Sequence, residues 1–433
     1  MKRSALQKII GAMGGQSLFL LTNMLSFLIV VKIFTPEEFA AWGFYLSLMA
    51  LLDGIRQGLI QNGLTRFLIQ YPDQEKSLMG SALALHLIFI GILSLLLFVF
   101  AAPISTFWNL PEMEALFRYS WLTLLASGSL QTFYSLLFAK GKSRVYFIFN
   151  LAYLVGIGMV LLVLLSLGKP GLLELLWGQN AISLLLLAIG LRLSNWFQWG
   201  LPTLPWMRKL LAFGKHVAGT NAFSLLFQKA DLWMIGFLLD AKSVALFLLA
   251  TKIIQYIDLP LTSLSQMLYP RFAATGRSQN TNELNLEMAR GILLLFVLIL
   301  PGVLLVLIFS ETLILILSTE EYLEAAPLII LLGLASLAKP WGRVFGMALD
   351  AMGKPQINMH MLAFSLVVNV AANALFIPIY GVGGAAFATS LSTVLTIGLG
   401  QVKIRKYLEI LPFDQQLALI KSIITKNLNL KTP

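Results

Sequence analysis

Long apolar stretches alternate with short polar segments along almost the whole chain. Twelve stretches reach the length that a helix needs to cross the hydrocarbon, about 20 residues. They begin near residues 9, 39, 78, 114, 145, 172, 209, 243, 287, 324, 356 and 382. The stretches lack the alternation of a membrane β-strand, so their backbone hydrogen bonds must close within helices. The pattern predicts an all-α integral membrane protein with about twelve transmembrane helices.

The composition agrees with residence in a lipid bilayer. Hydrophobic residues make up 58% of the chain and charged residues only 12%, whereas a soluble domain carries about 25% charged residues. The first apolar stretch follows Lys2, Arg3 and Lys8 and extends to Val31, which is too long for a secretory signal. We therefore expect it to be retained as the first membrane helix.

Lysine and arginine are unevenly divided between the loops on the two sides of the membrane. If the N-terminus is cytoplasmic, the loops on that side carry twelve of these residues and the opposite loops carry three. Because cytoplasmic loops retain positive charge, this bias places both termini in the cytoplasm. Topology thus explains most of the net charge of +11, and nucleic acid is not an expected partner.

The two halves of the chain carry related motifs. Residues 35–67 align without gaps on residues 240–272, which pairs Asp53 with Asp258, and residues 139–142 resemble residues 351–354. We therefore predict two six-helix halves related by an axis along the membrane normal. The predicted divisions are an N-terminal six-helix lobe (1–194), a cytoplasmic interfacial linker (195–208), a C-terminal six-helix lobe (209–404) and a cytoplasmic amphipathic tail (405–433).

Basic side chains occur inside segments that must cross the bilayer. Charge at membrane depth is costly, so such residues usually serve a function. The basic candidates are Arg56, Arg118, Lys215, Lys229, Lys252, Lys339 and Arg343. The acidic residues of these stretches are chiefly Asp53, Asp231 and Asp258. The positive surplus predicts a cationic cavity for an anionic substrate, although Arg118 and Lys215 lie closer to span ends and could extend to the headgroups instead.

The acidic candidates allow two interpretations. Asp53 and Arg56 are three apart on one helix and can form an ion pair that cancels charge. Alternatively, Asp53, Asp258 and Asp231 bind H⁺ or Na⁺ as a coupling ion. Lys339 and Arg343 are four apart and have no acidic residue beside them in the sequence. Their mutual repulsion predicts water or an anion nearby.

The chain carries no recognisable catalytic or metal-binding motif. It has no cysteine, and its histidines at positions 86, 216 and 360 lie in three predicted helices without the spacing of metal ligands. We therefore predict a protein that is not an enzyme and has no cofactor apart from the coupling ion. Gly54 and Gly58 have small-xxx-small spacing, which predicts close helix packing.

Four short motifs carry a family resemblance. They are Phe-Thr-Pro-Glu-Glu-Phe (34–39), Tyr-Pro-Arg-Phe (269–272), Ala-Met-Gly-Lys-Pro (351–355) and Asn-Ala-Leu-Phe-Ile-Pro-Ile-Tyr-Gly-Val-Gly-Gly-Ala-Ala (373–386). These motifs resemble the Wzx-type oligosaccharide flippases of polysaccharide biosynthesis, whose superfamily also includes multidrug exporters and the lipid II flippase. The resemblance implies two six-helix lobes around a V-shaped central cavity and transport by alternating access.

The same resemblance implies a substrate and a location. The expected substrate is an oligosaccharide linked to undecaprenyl pyrophosphate, moved from the cytoplasmic to the periplasmic leaflet of the bacterial inner membrane for surface polysaccharide synthesis. Other polysaccharide assembly proteins are further expected partners. The basic candidates fit this substrate because a pyrophosphate cannot cross hydrocarbon unless other groups replace its hydration.

Two other functions compete with this interpretation. A cation-coupled multidrug exporter of the same architecture would line its lobes with carboxylates, which the surplus of lysine and arginine disfavours. A membrane glycan polymerase or ligase would need a large periplasmic loop, and the predicted outer loops are short. We therefore predict a flippase driven by an ion gradient.

Overall fold

The computed structural model describes residues 2–166, 168, 170–193, 198–277 and 281–408, and every regular element within them is a helix. The predicted all-α fold class is confirmed. The helices of the first part are α1 (Lys2–Ile33), α2 (Pro36–Arg56), α3 (Asn62–Gln70), α4 (Glu75–Phe107), α5 (Glu112–Arg118), α6 (Ser120–Ala139), α7 (Ser143–Ser166) and α8 (Leu172–Leu193). They are followed by α9 (Leu204–Leu238), α10 (Ala241–Arg277), α11 (Thr281–Leu317), α12 (Ala326–Ser336), α13 (Lys339–Ala351) and α14 (Pro355–Ile404).

The apolar helices make the chain a multi-pass membrane protein. Within the described ranges, nine helices are long and apolar enough to cross a bilayer, and the number is ten if α12 and α13, which meet at a 40° bend, are counted together as one span. The predicted seventh span is α9, which carries Lys209, Lys215, Lys229 and Asp231 and falls outside these ten. The predicted eleventh and twelfth spans are the two parts of α14.

A break at Gly381 divides α14. Its backbone angles are φ 58° and ψ −142°, a left-handed conformation that residues with a Cβ rarely adopt. The sequence predicts that the last span begins near residue 382, directly after this glycine. A hydrophobic run of 50 residues therefore consists of two helices that meet at a kink and not of one continuous helix.

The chain divides into two compact units, Met1–Trp233 and Met234–Pro433. In the first unit, Phe67 lies in an apolar core with Phe133 and Leu137, and in the second unit Phe272 lies in a core with Phe345. The predicted lobe divisions stay predictions. Residues 204–208 of the predicted linker form the start of α9, and most of the predicted tail, residues 409–433, lies outside the described part of the chain.

The paired motifs of the sequence form the same helix starts in both units. Thr35 caps α2, because its hydroxyl accepts from the Glu38 N–H at 3.3 Å while the Glu38 carboxylate accepts from the Thr35 N–H at 3.0 Å. At the aligned position, Asp240 caps α10 by accepting from the Ser243 N–H at 2.8 Å. The alignment of residues 35–67 with 240–272 thus places two N-caps in register.

A second pair of motifs forms identical turns. After α6, the Gly141 N–H donates to the Phe138 carbonyl at 2.9 Å and the Lys142 N–H donates to the Leu137 carbonyl at 2.8 Å. After α13, the corresponding bonds of Gly353 and Lys354 are 3.0 and 2.8 Å. Both glycines have positive φ, 67° and 70°, as this helix-ending motif requires. The turns before α7 and α14 are therefore structural equivalents.

Candidate functional site

Arg56, at the end of α2, is the centre of a polar cluster inside the first unit. Its side chain is fully buried, at 0% exposure. Nε donates to Asp53 Oδ1 at 2.7 Å, Nη1 donates to Thr132 Oγ1 at 2.6 Å, and Nη2 donates to Gln61 Oε1 at 3.0 Å. Asp53 Oδ2 accepts a further bond from Gln57 Nε2 at 2.7 Å. Arg56 and Asp53 thus form the predicted intrahelical ion pair. Each of them also has hydrogen-bond partners outside the pair.

A π-helical segment, Gln57–Gln61, joins α2 to α3 directly after Arg56. Its wider turn suits the bond between Arg56 and Gln61, which are five residues apart. Such segments are rare and occur often at functional sites.

Close packing against α9 holds this segment in place. A Cβ on Gly58 would collide with the Ala218 backbone, and one on Gly54 would collide with the Leu225 side chain. The Asn221 amide also donates to the Gly54 carbonyl at 2.9 Å. The close packing predicted from the Gly54 and Gly58 spacing is confirmed.

A second polar cluster lies in the other unit. Lys339, the first residue of α13, donates from Nζ to Asp258 Oδ2 of α10 at 2.5 Å. One turn further along both helices, Arg343 Nη2 donates to Thr262 Oγ1 at 3.2 Å. Lys339 and Asp258 are 30% and 17% exposed, and Arg343 is exposed. The expectation that no acid lies beside Lys339 is wrong, because a helix 81 positions earlier in the chain supplies one.

The two clusters occupy equivalent places in their units but differ in where the positive charge comes from. Asp53 on α2 and Asp258 on α10 are aligned residues in the sequence. In the first unit the arginine lies on α2 with Asp53, and α6 supplies the Thr132 hydroxyl. In the second unit α13 supplies both cations, and α10 supplies the Thr262 hydroxyl.

The remaining candidates are spread over several helices. Lys229 on α9 is half-buried, and its ammonium has no hydrogen-bond or ion-pair partner among the described residues. Asp231, also half-buried, lies two positions further along α9, whereas Lys215 is exposed on the same helix. Lys252 on α10 donates to Gln255 Oε1 at 3.2 Å.

Arg118 differs from the other candidates because it ends the short helix α5. Its side chain is 49% exposed and donates to the Glu114 carboxylate at 2.6 Å. The structure therefore brings Asp53 together with Arg56, and Asp258 with Lys339 and Arg343, but places Arg118 in neither cluster.

Several polar neighbours of these candidates are not apparent from sequence reasoning. Thr132 has no signal in the sequence, whereas Gln61 is identical to Gln266 in the repeat alignment. His86 is buried beside Arg56's cluster, with Nε2 at 2.9 Å from Ser129 Oγ. A cavity of about 120 Å³ lies here, lined by apolar side chains together with His86, Ser129 and Thr132.

A family model described as "Polysaccharide biosynthesis protein" matches residues 29–327. The chain belongs to this family. The matched range includes Asp53, Arg56 and Asp258 and ends before Lys339 and Arg343. The resemblance seen in the short sequence motifs is thereby confirmed.

The chain is similar to part of a protein that is named as a flippase. The relative is the "Probable low-salt glycan biosynthesis flippase Agl15" of Haloferax volcanii, 22% identical over 185 residues. The aligned part covers 43% of this chain and 39% of that protein, so the chain matches less than half the length of the relative.

Two solved structures share the fold of this family member over nearly its whole length. The lipid II flippase MurJ has a TM-score of 0.77 and 14% identity, with 96% of this chain and 91% of that chain covered. A multidrug resistance MATE family transporter of the MOP superfamily has a TM-score of 0.74 and 15% identity, with 95% and 99% covered. The likeness places the chain in the fold of these transporters.

Proposed function

We propose that this protein is a flippase for oligosaccharide linked to undecaprenyl pyrophosphate. It moves its substrate from the cytoplasmic to the periplasmic leaflet of the inner membrane by alternating access, for the synthesis of O-antigen, capsule or exopolysaccharide. Membership of the polysaccharide biosynthesis family and the name of the Haloferax relative support this assignment.

The observation that carries the proposal is a basic residue in each unit that lies on a helix predicted from the sequence to cross the membrane and has no acidic partner among the described residues. Lys229 has no hydrogen-bond or ion-pair partner there, and Arg343 is exposed and bonds, within the described part of the chain, only to the Thr262 hydroxyl. An uncompensated cation at membrane depth is expensive. A pyrophosphate supplies the missing negative charge and in turn needs cations to replace its hydration.

The other basic candidates have different parts in the proposal. Arg56 is fully buried and already donates to three acceptors, so a phosphate oxygen could reach it only by displacing Gln61 or Thr132. We assign direct phosphate contact to Lys229 in the first unit, and separately in the second unit to Arg343 first and then to Lys252 and Lys339. Lys215 and Arg118 are both exposed, and we assign to them only the electrostatic attraction of the substrate headgroup before it binds.

The proposal also includes coupling to an ion gradient. The carboxylates proposed to bind H⁺ or Na⁺ are Asp53, Asp258 and Asp231, the three acidic candidates of the sequence. Transport driven separately by an imposed proton gradient and by an imposed sodium gradient distinguishes the two ions.

A second candidate function, cation-coupled drug export, is favoured by one finding. The likeness to the MATE family transporter covers 95% of this chain and 99% of that chain, compared with 96% and 91% for the lipid II flippase. The surplus of basic over acidic residues in the spanning helices argues against cationic drugs as substrates.

Leaflet accessibility in proteoliposomes tests the proposal. A labelled polyprenyl-pyrophosphate oligosaccharide is reconstituted with and without the protein, and with and without a proton gradient. The flippase assignment predicts protein-dependent movement that falls about tenfold in Lys229→Gln. The matched control is Lys242→Gln, whose exposed side chain pairs with Glu324 at 2.6 Å. Absence of movement together with export of cationic dyes would support the exporter instead.

A further inference from the structure

The aligned carboxylates, Asp53 and Asp258, differ in their hydrogen-bond partners and in the exposure of the cations beside them. Every oxygen of Asp53 has a donor, and each of the three donating nitrogens of Arg56 has an acceptor. Asp53 is 26% exposed, but Arg56 is 0% exposed, so a phosphate reaches the guanidinium only by breaking protein hydrogen bonds. The cation of the first unit is therefore closed to an anionic ligand.

The pair in the second unit is open. Asp258 Oδ2 is bonded to Lys339, whereas its buried Oδ1 has no hydrogen-bond partner in the described structure. Lys339 is 30% exposed and Arg343 is more exposed still. Lys339 also begins α13, directly after the 40° bend that separates this helix from α12. Two basic side chains thus share one face beside a single carboxylate that satisfies only one of them.

We propose that Asp258 is a displaceable counter-anion of Lys339, and that a phosphate which binds Lys339 and Arg343 releases the Asp258 carboxylate to take up one proton. The inference rests on the proposed function, because it assumes a pyrophosphate substrate. It assigns proton uptake on substrate binding to Asp258 and gives Asp53 a structural role.

The charge balance of this exchange is simple. Before binding, two cations face one carboxylate. The phosphate takes the place of that carboxylate at the Lys339 ammonium, which stays protonated. The freed carboxylate lies at membrane depth without a counter-charge and becomes a neutral carboxylic acid by taking one proton from water. Phosphate binding and proton binding therefore strengthen each other, as linkage requires of two ligands that share a site.

The surroundings of Asp258 supply few other charges. α12 carries no ionisable side chain, and α11 carries none over residues 291–310. On α10 itself, Tyr256 precedes Asp258 by two residues and Lys252 by six, and Lys242, Tyr269, Arg271 and Arg277 lie further away. The other ionisable groups of elements that contact α10 are His360, Tyr380 and Lys403 on α14, Asp350 near the end of α13, Glu283, Glu287, Arg290 and Glu311 on α11, and Glu320, Glu321, Tyr322 and Glu324 before α12.

Binding of inorganic pyrophosphate to the purified full-length protein tests the inference. Affinity is measured by calorimetry at several pH values from about 5.5 to about 8. Asp258→Asn removes the competing charge, so we expect it to bind pyrophosphate about tenfold more tightly than the wild type at the upper pH. The difference should shrink as the pH falls, because a protonated Asp258 no longer competes.

Glu324→Gln is the matched control, since it removes the carboxylate of an exposed lysine pair of similar length, 2.6 Å. This variant should bind as the wild type does, and Lys339→Gln should bind more weakly. Wild-type titrations in two buffers of different ionisation enthalpy count the protons taken up, with Asp258→Asn as the reference for the protons of pyrophosphate itself. We expect about one additional proton in the wild type. Asp258→Ala serves as a second reference, so that the proton count does not depend on the folding of Asp258→Asn alone.

Two results would overturn the inference. One is pyrophosphate affinity that is unchanged or weaker in Asp258→Asn at every pH, and the other is wild-type binding without extra proton uptake. If the lipid-linked oligosaccharide still crosses the bilayer in those cases, the inference alone has failed. If the wild type neither binds pyrophosphate nor moves the lipid-linked substrate, the proposed function has failed as well.

Discussion

The Arg56 guanidinium donates a 2.6 Å hydrogen bond to the Thr132 hydroxyl and so connects α2 to α6 inside the first unit. The Thr132 hydroxyl uses its own hydrogen to donate to the Gly128 carbonyl at 2.9 Å, which leaves its oxygen free to accept from Arg56. A buried charged donor without an acceptor carries a large desolvation cost. Loss of the Thr132 hydroxyl from α6 should therefore destabilise the buried guanidinium of Arg56 on α2.

Thr132→Val should lower the free energy of unfolding by about 2 kcal/mol, because Arg56 Nη1 loses its acceptor while the shape of the side chain is kept. Thr132→Ser keeps the hydroxyl and should remain close to the wild type. Thr106→Val is a further control, since the exposed Thr106 hydroxyl bonds only to its own helix at Ala102. Unfolding in mixed micelles measures all three. Equal losses in Thr132→Val and Thr106→Val would contradict the role of this bond.

Asp53→Asn should be much more destabilising than Glu114→Gln, although both remove the acid of an intrahelical arginine pair. Arg56 is 0% exposed, whereas Arg118 is 49% exposed. Removing the partner of a buried charge costs about 3 kcal/mol, whereas an exposed helix pair contributes about 0.4 kcal/mol. Parallel unfolding curves provide the comparison. Similar midpoints for the two variants would show that water reaches Arg56.

Gly58→Ala should move the π-helical segment Gln57–Gln61 away from α9 and lower the unfolding temperature, because the added methyl group meets the Ala218 backbone, which cannot rotate away. Gly219→Ala lies on α9 with nothing within 4 Å of the new methyl group. That control should be neutral or stabilised by about 0.5 kcal/mol, as alanine is the better helix former. A stabilising effect of Gly58→Ala would refute the close approach.

Asp240 lies outside the spans, and its carboxyl group should make a pH-dependent contribution to the stability of the fold. The Ser243 backbone N–H lowers the pKa of this carboxyl, with burial opposing the effect and Lys242 adding to it. A lowered folded-state pKa means that the stabilisation is complete above the unfolded value, about 3.9, and is lost as the pH falls through the folded pKa. The unfolding midpoints of Asp240→Ala and the wild type should therefore differ at neutral pH and approach each other in acid. A difference independent of pH would contradict the charged cap.

The sequence predicts those features that depend on neighbouring residues. Asp53 with Arg56, and Gly54 with Gly58, lie within one helical turn or slightly more, so spacing alone indicates an ion pair and a packing face. The break at Gly381 and the paired turns at Gly141 and Gly353 also follow from local chemistry, because glycine allows positive φ.

Contacts between distant helices are less accessible to such reasoning. Asp258 and Lys339 are 81 positions apart, and nothing in either helix indicates the other as a partner. Thr132 is one of many hydroxyl residues in apolar helices. The π-helical segment Gln57–Gln61 likewise depends on packing against α9, through Gly58 and Ala218, and not on any residue that favours it by itself.

A comparison of headgroups tests the central claim most directly. The same labelled oligosaccharide is attached to a polyprenyl chain through a pyrophosphate or through an uncharged ether, and its leaflet accessibility is followed in proteoliposomes. Because Lys229 and Arg343 are assigned to the phosphate charge, the account predicts protein-dependent movement of the pyrophosphate form and little movement of the ether. Equal movement of both lipids would contradict it, since the protein would then recognise the glycan or the chain without using its cations.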